Sequence, residues 1–359
     1  MIDYIMKKIL KTLQIKSIMV ITLALIFVHG NIKAQIEYNE VDYGVNPMPY
    51  SRVGTAGYQY LKLPTNARTA ALGNITSVLS SPDANALLTN PAAMADIENY
   101  SFSSNYMSWV AETEYISAAV VKNLGNSGAV GLSLISMDYG DMPRTEYDSY
   151  FDPSGNLIEF PVTAGLGTVT ANDLALGLSY ARTLYQKLKF GFNMRYLKEQ
   201  LDDANSSTVA MDFGSFYMTG YKSLRISILF KFFGADSEFR KYEGRVEKRP
   251  FSVKTPMAFS FGTAMDFLED PTSVHRLTVA AEYTHPNDGS EKYHLGLEYG
   301  YGKQLFLRAG HRFNYQEYGW TAGAGAKVRL AGKSLFVDWA IIDVGRFNIV
   351  QMISLSSGI

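Results

Sequence analysis

Alternation between large apolar residues and small or polar residues is the feature that most constrains how this 359-residue chain can fold. In the segment 291–301, Leu295 and Leu297 share one set of positions with three tyrosines. Gly296 and Glu298 occupy the positions between them. A period of two places each set on one face of a β-strand. The segment is therefore predicted to be a strand with one apolar face.

Segments of this kind recur from residue 98 to the end of the chain. About 9–11 residues are enough for a tilted strand to cross a membrane, and single-chain bacterial barrels have an even number of strands. The sequence contains 14 such segments, at 98–110, 114–125, 128–139, 172–184, 187–200, 207–219, 224–234, 255–268, 275–285, 291–301, 304–314, 319–330, 334–344 and 348–359.

A soluble β-sandwich would share this period, but it needs large side chains on its inner face. Here one face is small and polar, and the apolar face often ends in Tyr, Trp or Phe, as the interfacial girdle of a membrane barrel does. The sequence therefore predicts an all-β protein, a 14-stranded antiparallel transmembrane β-barrel over 98–359. We expect large residues to face outer-membrane lipid in a Gram-negative bacterium and small ones to face the lumen.

The connections between segments differ in length. If the first strand runs outward, the connections after odd-numbered strands are extracellular and should be the long ones. The two longest connections, 140–171 and 235–254, both follow odd-numbered strands, and so does the polar turn at 201–206. This asymmetry agrees with the strand count.

The N-terminus has the pattern of a secretory signal peptide. Four lysines precede the apolar run 18–28, and Ala34 stands before a plausible cleavage point. A retained membrane anchor is the alternative, but it needs roughly 20 apolar residues. We expect residues 1–34 to be removed, whether translation begins at Met1 or at Met6.

Residues 35–97 lack the strand pattern. Small residues dominate the part from 63 to 73, and Ser81, Pro82 and Asp83 form a helix-start signal. The short helix that starts there is predicted to continue through 84–88 and to end at Asn90 and Pro91. We interpret 35–97 as a compact plug inside or beneath the barrel, with a disordered periplasmic tail as the alternative.

The plug segment also carries a family resemblance. It contains an Ala-Arg-x-Ala-Ala-x-Gly block, an Asp-Ala pair and an Asn-Pro-Ala sequence, and the C-terminal half is similar too. This pattern resembles the PorV/PorQ proteins, which are related to the FadL-type fatty-acid channels, 14-stranded barrels with an N-terminal hatch. The resemblance implies the same fold and a role in type IX protein secretion. The plug-motif residues include Ala67, Arg68, Gly73, Asp83, Asn90 and Pro91.

No catalytic, metal or cofactor site is predicted. The chain has no cysteine, its five histidines lack metal-ligand spacing, and it contains no Gly-x-Ser-x-Gly sequence. A formal net charge of −1 gives no indication of nucleic-acid binding. An outer-membrane lipid hydrolase is therefore the least supported hypothesis, and we expect the protein not to be an enzyme.

Charged residues on the lumen-facing positions are more informative. Arg195 and Asp212 lie on adjacent predicted strands, and Arg68 of the plug is expected to reach an inward acid. The set could form a polar pathway or dock the plug, although simple charge pairing in a wet interior explains it as well. The predicted lumen charges are Arg195, Asp212, Glu298, Arg308, Arg312 and Asp338.

The two long connections carry opposite charge and many aromatic residues. The first is rich in acids and the second in bases, and aromatic side chains are common anchors of protein interfaces. We interpret them as a partner-binding surface, with ordinary solvated loops as the alternative. The candidate residues are Tyr147, Tyr150, Phe151, Phe239, Tyr242 and Phe251.

Two functions follow from these features. The resemblance implies an accessory barrel of type IX secretion, with secretion-system proteins or cargo carrying C-terminal signal domains as partners. The alternative is a FadL-like channel for hydrophobic small molecules. A lateral opening in such a channel needs a bulge or a Gly/Pro break in a strand, and the sequence shows no decisive kink.

Overall fold

The computed structural model describes residues 54–79, 83–152, 154, 156–162, 167–239, 242–243, 246–247, 251–268, 273–330 and 333–358. All of them belong to one structural unit, Ser51–Ile359. The predicted signal peptide and the first part of the predicted plug lie outside the described residues.

Fourteen of the described strands close into an antiparallel barrel in which each strand pairs with the next and the last pairs with the first. This confirms the predicted fold and strand number. In chain order the strands are β1 (Tyr100–Ser108), β2 (Glu114–Asn123), β3 (Ala129–Pro143), β4 (Glu146–Phe151), β5 (Leu157–Val162), β6 (Thr168–Tyr185), β7 (Leu188–Leu201), β8 (Ala204–Met218), β9 (Arg225–Gly234), β10 (Ser237–Phe239), β11 (Tyr242–Glu243), β12 (Val246–Glu247), β13 (Phe251–Val253), β14 (Ala258–Phe267), β15 (His275–Pro286), β16 (Lys292–Tyr301), β17 (Leu305–Phe313), β18 (Trp320–Leu330), β19 (Lys333–Asp343) and β20 (Ile349–Gly358).

Six of these strands lie outside the barrel wall. They form three two-stranded sheets, β4 with β5, β10 with β13, and β11 with β12. All three belong to the connections that follow β3 and β9, in which the sequence predicted no strands. We call the end of the barrel that carries these connections the long-loop end, and the opposite end the short-turn end. The expected turn at 201–206 is also shorter, because β7 ends at Leu201 and β8 begins at Ala204.

The two faces of the wall differ as the alternation predicts. In β16, Leu295 and Leu297 are exposed on the outside, whereas Glu298 is buried on the inside. In β7, Met194 is exposed and Arg195 is buried. Large apolar residues therefore form the lipid-facing surface, and the small or polar set faces the lumen.

Residues 54–79 and 83–97, which we call the hatch, lie inside the lumen. They form two short α-helices, α1 (Ala67–Ala71) and α2 (Asn85–Thr89), and 3₁₀ turns at Gln59–Lys62 and Pro91–Asp96. None of the described helices is long and apolar enough to cross a membrane. Helix α2 begins at Asn85, whereas the sequence predicted a helix start at Ser81, Pro82 and Asp83. The residue before it is Ala84, which gives no side-chain cap, and the predicted cap Ser81 lies outside the described residues.

Candidate functional site: the hatch and the lumen

Glycines of the wall make room for the hatch backbone. A Cβ atom added at Gly310 of β17 would lie 2.1 Å from the amide nitrogen of Gly73. One added at Gly191 of β7 would lie 2.2 Å from the carbonyl carbon of Pro91 and the amide nitrogen of Ala92. Glycine is required where another backbone approaches a strand this closely. The glycine-rich strands are therefore shaped to hold the hatch.

Asn90 of the plug motif ties two parts of the hatch to the wall. Its amide nitrogen donates to the carbonyl oxygen of Ser77 at 2.6 Å and to the hydroxyl of Ser227 in β9 at 2.9 Å. Its amide oxygen accepts from the backbone nitrogen of Ala92 at 3.0 Å. The side chain is fully buried, so each of these bonds satisfies a group that water cannot reach.

Other motif residues bind the wall through barrel hydroxyl groups. The Asp83 carboxylate accepts from the hydroxyl of Ser356 at 2.7 Å. The backbone nitrogen of Ala67 donates to the hydroxyl of Ser354 at 2.7 Å. The small polar residues of β20 thus act as hydrogen-bonding partners of the hatch.

Gly73 combines a contact with a backbone requirement. Its backbone nitrogen donates to Thr321 Oγ1 at 3.0 Å, and its φ is +71°, a value that favours glycine. Its carbonyl oxygen contacts Nδ1 of the buried His294 at 2.6 Å. The motif glycine is therefore placed where the hatch turns against the wall.

A buried ionic network joins the hatch to three barrel strands. Arg68 in α1 binds Glu298 of β16 through its Nε and Nη2 atoms, at 2.8 and 2.9 Å. Glu298 also accepts from Arg308 Nε at 2.7 Å, and Arg308 Nη1 donates to Asp338 at 2.5 Å. The structure thus brings together Arg68, Glu298, Arg308 and Asp338. We call this set the Glu298 network.

Arg195 and Asp212 form a second buried pair, at 2.9 Å, and it lies beside a break in the wall. Between β8 and β9 the register shifts, so that Asp212 stands opposite both Lys231 and Phe232. Phe232 adopts a left-handed φ of 57°, and its backbone nitrogen donates to the Asp212 carboxylate at 2.8 Å. This is a β-bulge. The sequence shows no decisive kink, yet the wall contains one here.

Arg312 does not join the Glu298 network. Its cross-strand neighbour in β16 is His294, whereas Glu298 faces Arg308. Among the described ion pairs within 4.0 Å, none includes Arg312. Its Nε and Nη2 atoms are buried and have no hydrogen-bond partner among the residues that the structure describes.

Several strands carry large apolar residues on their inward face towards the long-loop end. There the hatch contributes Tyr60, Leu61 and Leu63 to a single buried cluster with the wall. We call eight large wall residues of this cluster the apolar zone. They are Met107, Tyr115, Ile135, Met137, Leu197, Ile342, Val350 and Met352.

Sequence reasoning missed the apolar zone, although the signal was present. Met107 continues the inward phase of Ser103 and Asn105 along β1, and in β3 Met137 continues that of Ser133. The inward set changes from small polar to large apolar residues within single strands. The change is missed when the inward residues of a whole strand are classified together as small and polar.

The candidate outer-loop residues lie on three different sheets. Tyr147, Tyr150 and Phe151 belong to β4, and Phe151 is 71% exposed. Phe239 in β10 pairs with Phe251 in β13. Tyr242 lies in β11. The structure therefore distributes these residues over separate hairpins at the long-loop end.

Among the described residues, no group of three or more His, Asp or Glu side chains is placed to hold a metal ion. The ion-paired buried groups Arg68, Arg195, Asp212, Glu298, Arg308 and Asp338 instead join the hatch to the wall or the strands of the wall to each other. The arrangement fills the lumen with the hatch and packs the hatch against the apolar zone.

A closed 14-stranded barrel with a plug is an architecture of Gram-negative outer-membrane proteins. Two solved structures are similar to this chain, the toluene transporters TodX of Pseudomonas putida and TbuX of Ralstonia pickettii. Each is 12% identical to this chain with a TM-score of 0.51, and the match covers 81% of this chain and 96% of the transporter. At this identity the likeness shows the fold alone, which is the predicted FadL-like one. No protein-family model and no curated protein matches the chain.

Proposed function

We propose that this protein is an outer-membrane channel for hydrophobic small molecules. The observation that carries the proposal is the apolar zone of the lumen wall, which packs against the hatch towards the long-loop end. Channels for polar solutes have a polar, water-filled interior. A lumen wall that includes Met107, Met137 and Ile342 instead favours solutes that leave water readily.

The closed lumen and the β-bulge support the same function. Because the hatch fills the wall's glycine-lined region, a solute in the apolar zone needs either a movement of the hatch or a break in the wall. Phe232, at the bulge, belongs to the same buried cluster as the apolar zone. A bulge disrupts the strand ladder locally, so it gives the wall a weak point at the level where the solute would rest. The fold shared with two toluene transporters is consistent with this route.

Two methionines of β3 allow a matched test of the apolar zone. Met137 is buried and faces inward, whereas Met142 is 38% exposed and lies beyond a register shift in the same strand. A buried amide without a partner costs about 1–3 kcal/mol. We expect Met137→Gln to lower the uptake of labelled toluene about 5-fold or more, with Met142→Gln unchanged.

Uptake is measured in a deletion strain that carries each variant at equal outer-membrane abundance. The deletion strain itself should take up less toluene than the complemented strain. Equal uptake by the deletion and complemented strains would contradict the proposed channel.

A second candidate is an accessory role in type IX secretion, in which the long-loop end docks cargo or secretion-system proteins. It is favoured by the plug-motif resemblance and by the exposed apolar side chains of the β4–β5 hairpin. Phe151, Leu157 and Phe160 of that hairpin are all exposed. Exposed ion pairs between the connections contribute only about 0–1 kcal/mol each, so apolar contacts would dominate docking.

Shortening the connection 235–254 to a tight turn tests this second candidate. The barrel should still assemble, since the wall strands β9 and β14 pair independently of this connection. Cargo with a C-terminal signal domain is expected to accumulate in the periplasm, as measured by fractionation and immunoblotting. Normal surface display, in both this variant and a deletion strain, would exclude the role.

A further inference from the structure

Arg312 differs from the other buried arginines of the barrel. Arg195, Arg225 and Arg308 each bind a carboxylate, at 2.9, 2.9 and 2.7 Å. Arg312 is only 3% exposed, and none of the described acidic side chains lies within ion-pair distance of it. The buried guanidinium therefore lacks the partner that the same barrel provides elsewhere.

The guanidinium cannot relieve this situation by losing a proton, because arginine stays protonated in proteins. A buried charge without a counter-ion is strongly unfavourable. The neighbouring inward acid of β15, Glu282, is already bound by the backbone nitrogens of Thr76 and Ser77, at 2.9 and 2.6 Å. Compensation for Arg312 must therefore come from an anion that is not part of the described chain.

The unbonded atoms of Arg312 indicate which anion fits. They are Nε and Nη2, which lie on one edge of the planar guanidinium group. Their two N–H bonds point in nearly parallel directions and match the two oxygens of a carboxylate. The remaining described contact, the Tyr318 ring 4.7 Å from the guanidinium carbon, supplies no oxygen acceptor along that edge.

A chain of aromatic rings begins at the Tyr318 ring beside Arg312. Tyr318 stacks on Trp109 at 6.2 Å between ring centroids and meets Tyr315 edge-on at 5.4 Å. Tyr315 in turn meets the ring of His294 edge-on at 5.7 Å. Such a set of rings accommodates a planar aromatic body by stacked or edge-on contacts.

We propose that Arg312 forms a binding site for small aromatic carboxylates at the long-loop end of the lumen. The inference rests on the proposed channel function and names one substrate class for it. The connection 314–319 covers the site, and its Glu317 is held by Arg346 of the next connection at 2.5 Å. Opening of this connection would admit the ligand, whose carboxylate would then bind the Nε and Nη2 edge of Arg312.

Benzoate and benzamide provide the direct test, because they share a ring and differ in charge. Binding to the purified full chain in detergent is followed by calorimetry and by tryptophan fluorescence, which Trp109 should report. We expect benzoate to bind and benzamide to bind at least about 10-fold more weakly, since a hydrogen-bonded ionic contact is lost. Arg312→Gln should weaken benzoate binding about 10- to 100-fold.

Arg144→Gln serves as the control, because it removes a partly exposed positive charge from a different connection at the same end of the barrel. It should leave benzoate binding within about 3-fold of wild type, since exposed charges act weakly. Arg312→Lys, which keeps the charge but not the two-pronged edge, should bind benzoate less tightly than wild type. Equal affinity of wild type and Arg312→Gln for benzoate, or of wild type for both ligands, would overturn the proposal.

Thermal unfolding separates a ligand site from a structural arginine. Without ligand, Arg312→Met should unfold at a higher temperature than wild type, because an uncompensated buried charge has been removed. Benzoate should raise the unfolding temperature of wild type only. A lower unfolding temperature for Arg312→Met, together with no benzoate effect on wild type, would assign Arg312 a structural role. If that result is obtained and toluene uptake is still normal, the carboxylate site is rejected but the proposed channel function is not.

Discussion

Replacement of Glu298 by glutamine is expected to lower the free energy of unfolding of the barrel by about 3–5 kcal/mol. Glu298 is buried and accepts charged hydrogen bonds from both Arg68 and Arg308. Glutamine keeps the shape but removes the negative charge, so Arg68 loses the carboxylate that it binds and Arg308 keeps only Asp338. Removing one partner of a buried ion pair is costly because the other charge stays behind, uncompensated.

The measurement is equilibrium unfolding by urea in lipid vesicles, followed by the shift between folded and unfolded bands on gels. Glu317→Gln is the matched control, since Glu317 binds Arg346 at the exposed long-loop end. It should leave the unfolding midpoint unchanged within error. A midpoint for Glu298→Gln equal to that of the control would mean that the Glu298 network does not stabilise the docked hatch.

Period-two alternation predicted the barrel well because it reports which face each side chain occupies. The fourteen segments, the lipid-facing set and the lumen-facing set all follow from it. Alternation does not report register. Arg308 and Arg312 share one face of β17, yet only Arg308 stands opposite Glu298, and four residues separate the two arginines. Sequence reasoning therefore grouped Arg312 with an acid that the strand pairing assigns to Arg308.

The β-bulge was hidden from sequence for a different reason. Glycine and proline were the expected signals of a wall break, but the bulge uses Phe232 in a left-handed conformation. A side-chain carboxylate replaces the missing strand contact, since Asp212 accepts from the Phe232 nitrogen. This hydrogen bond forms only because β8 and β9 lie side by side in the folded barrel, so the sequence of either strand alone does not reveal it.

The hatch could be located from composition, but its contacts could not. Small residues and the Asn-Pro pair indicated a compact segment inside the barrel. Which wall glycines contact the hatch depends on where the hatch backbone turns. In the structure, Gly73 lies against Gly310 and Pro91 lies against Gly191, and these contacts cannot be inferred from composition. Substitution of these two glycines is therefore the most direct way to displace the hatch and open the lumen.

The double variant Gly191→Ala/Gly310→Ala is expected to displace the hatch while the barrel stays folded. The two positions lie on β7 and β17, which are six barrel strands apart, and each added Cβ atom would fall about 2 Å from hatch backbone atoms. Overpacking of this kind costs about 1–3 kcal/mol per site. Because alanine is tolerated in a β-strand, we expect the steric clash to be relieved by movement of the hatch and not by unfolding of the strands.

Displacement should convert a closed barrel into an ion-conducting one, and planar-bilayer recordings would show a larger single-channel conductance. The hatch should also become sensitive to protease in detergent, with the β-sheet circular dichroism unchanged. Gly289→Ala/Gly300→Ala is the control, because the nearest atoms to its added Cβ positions lie at 3.8 and 3.4 Å, ordinary contact distances. If both double variants conduct and resist protease as the wild type does, the wall glycines do not hold the hatch in place, and closure must depend on the buried ionic contacts instead.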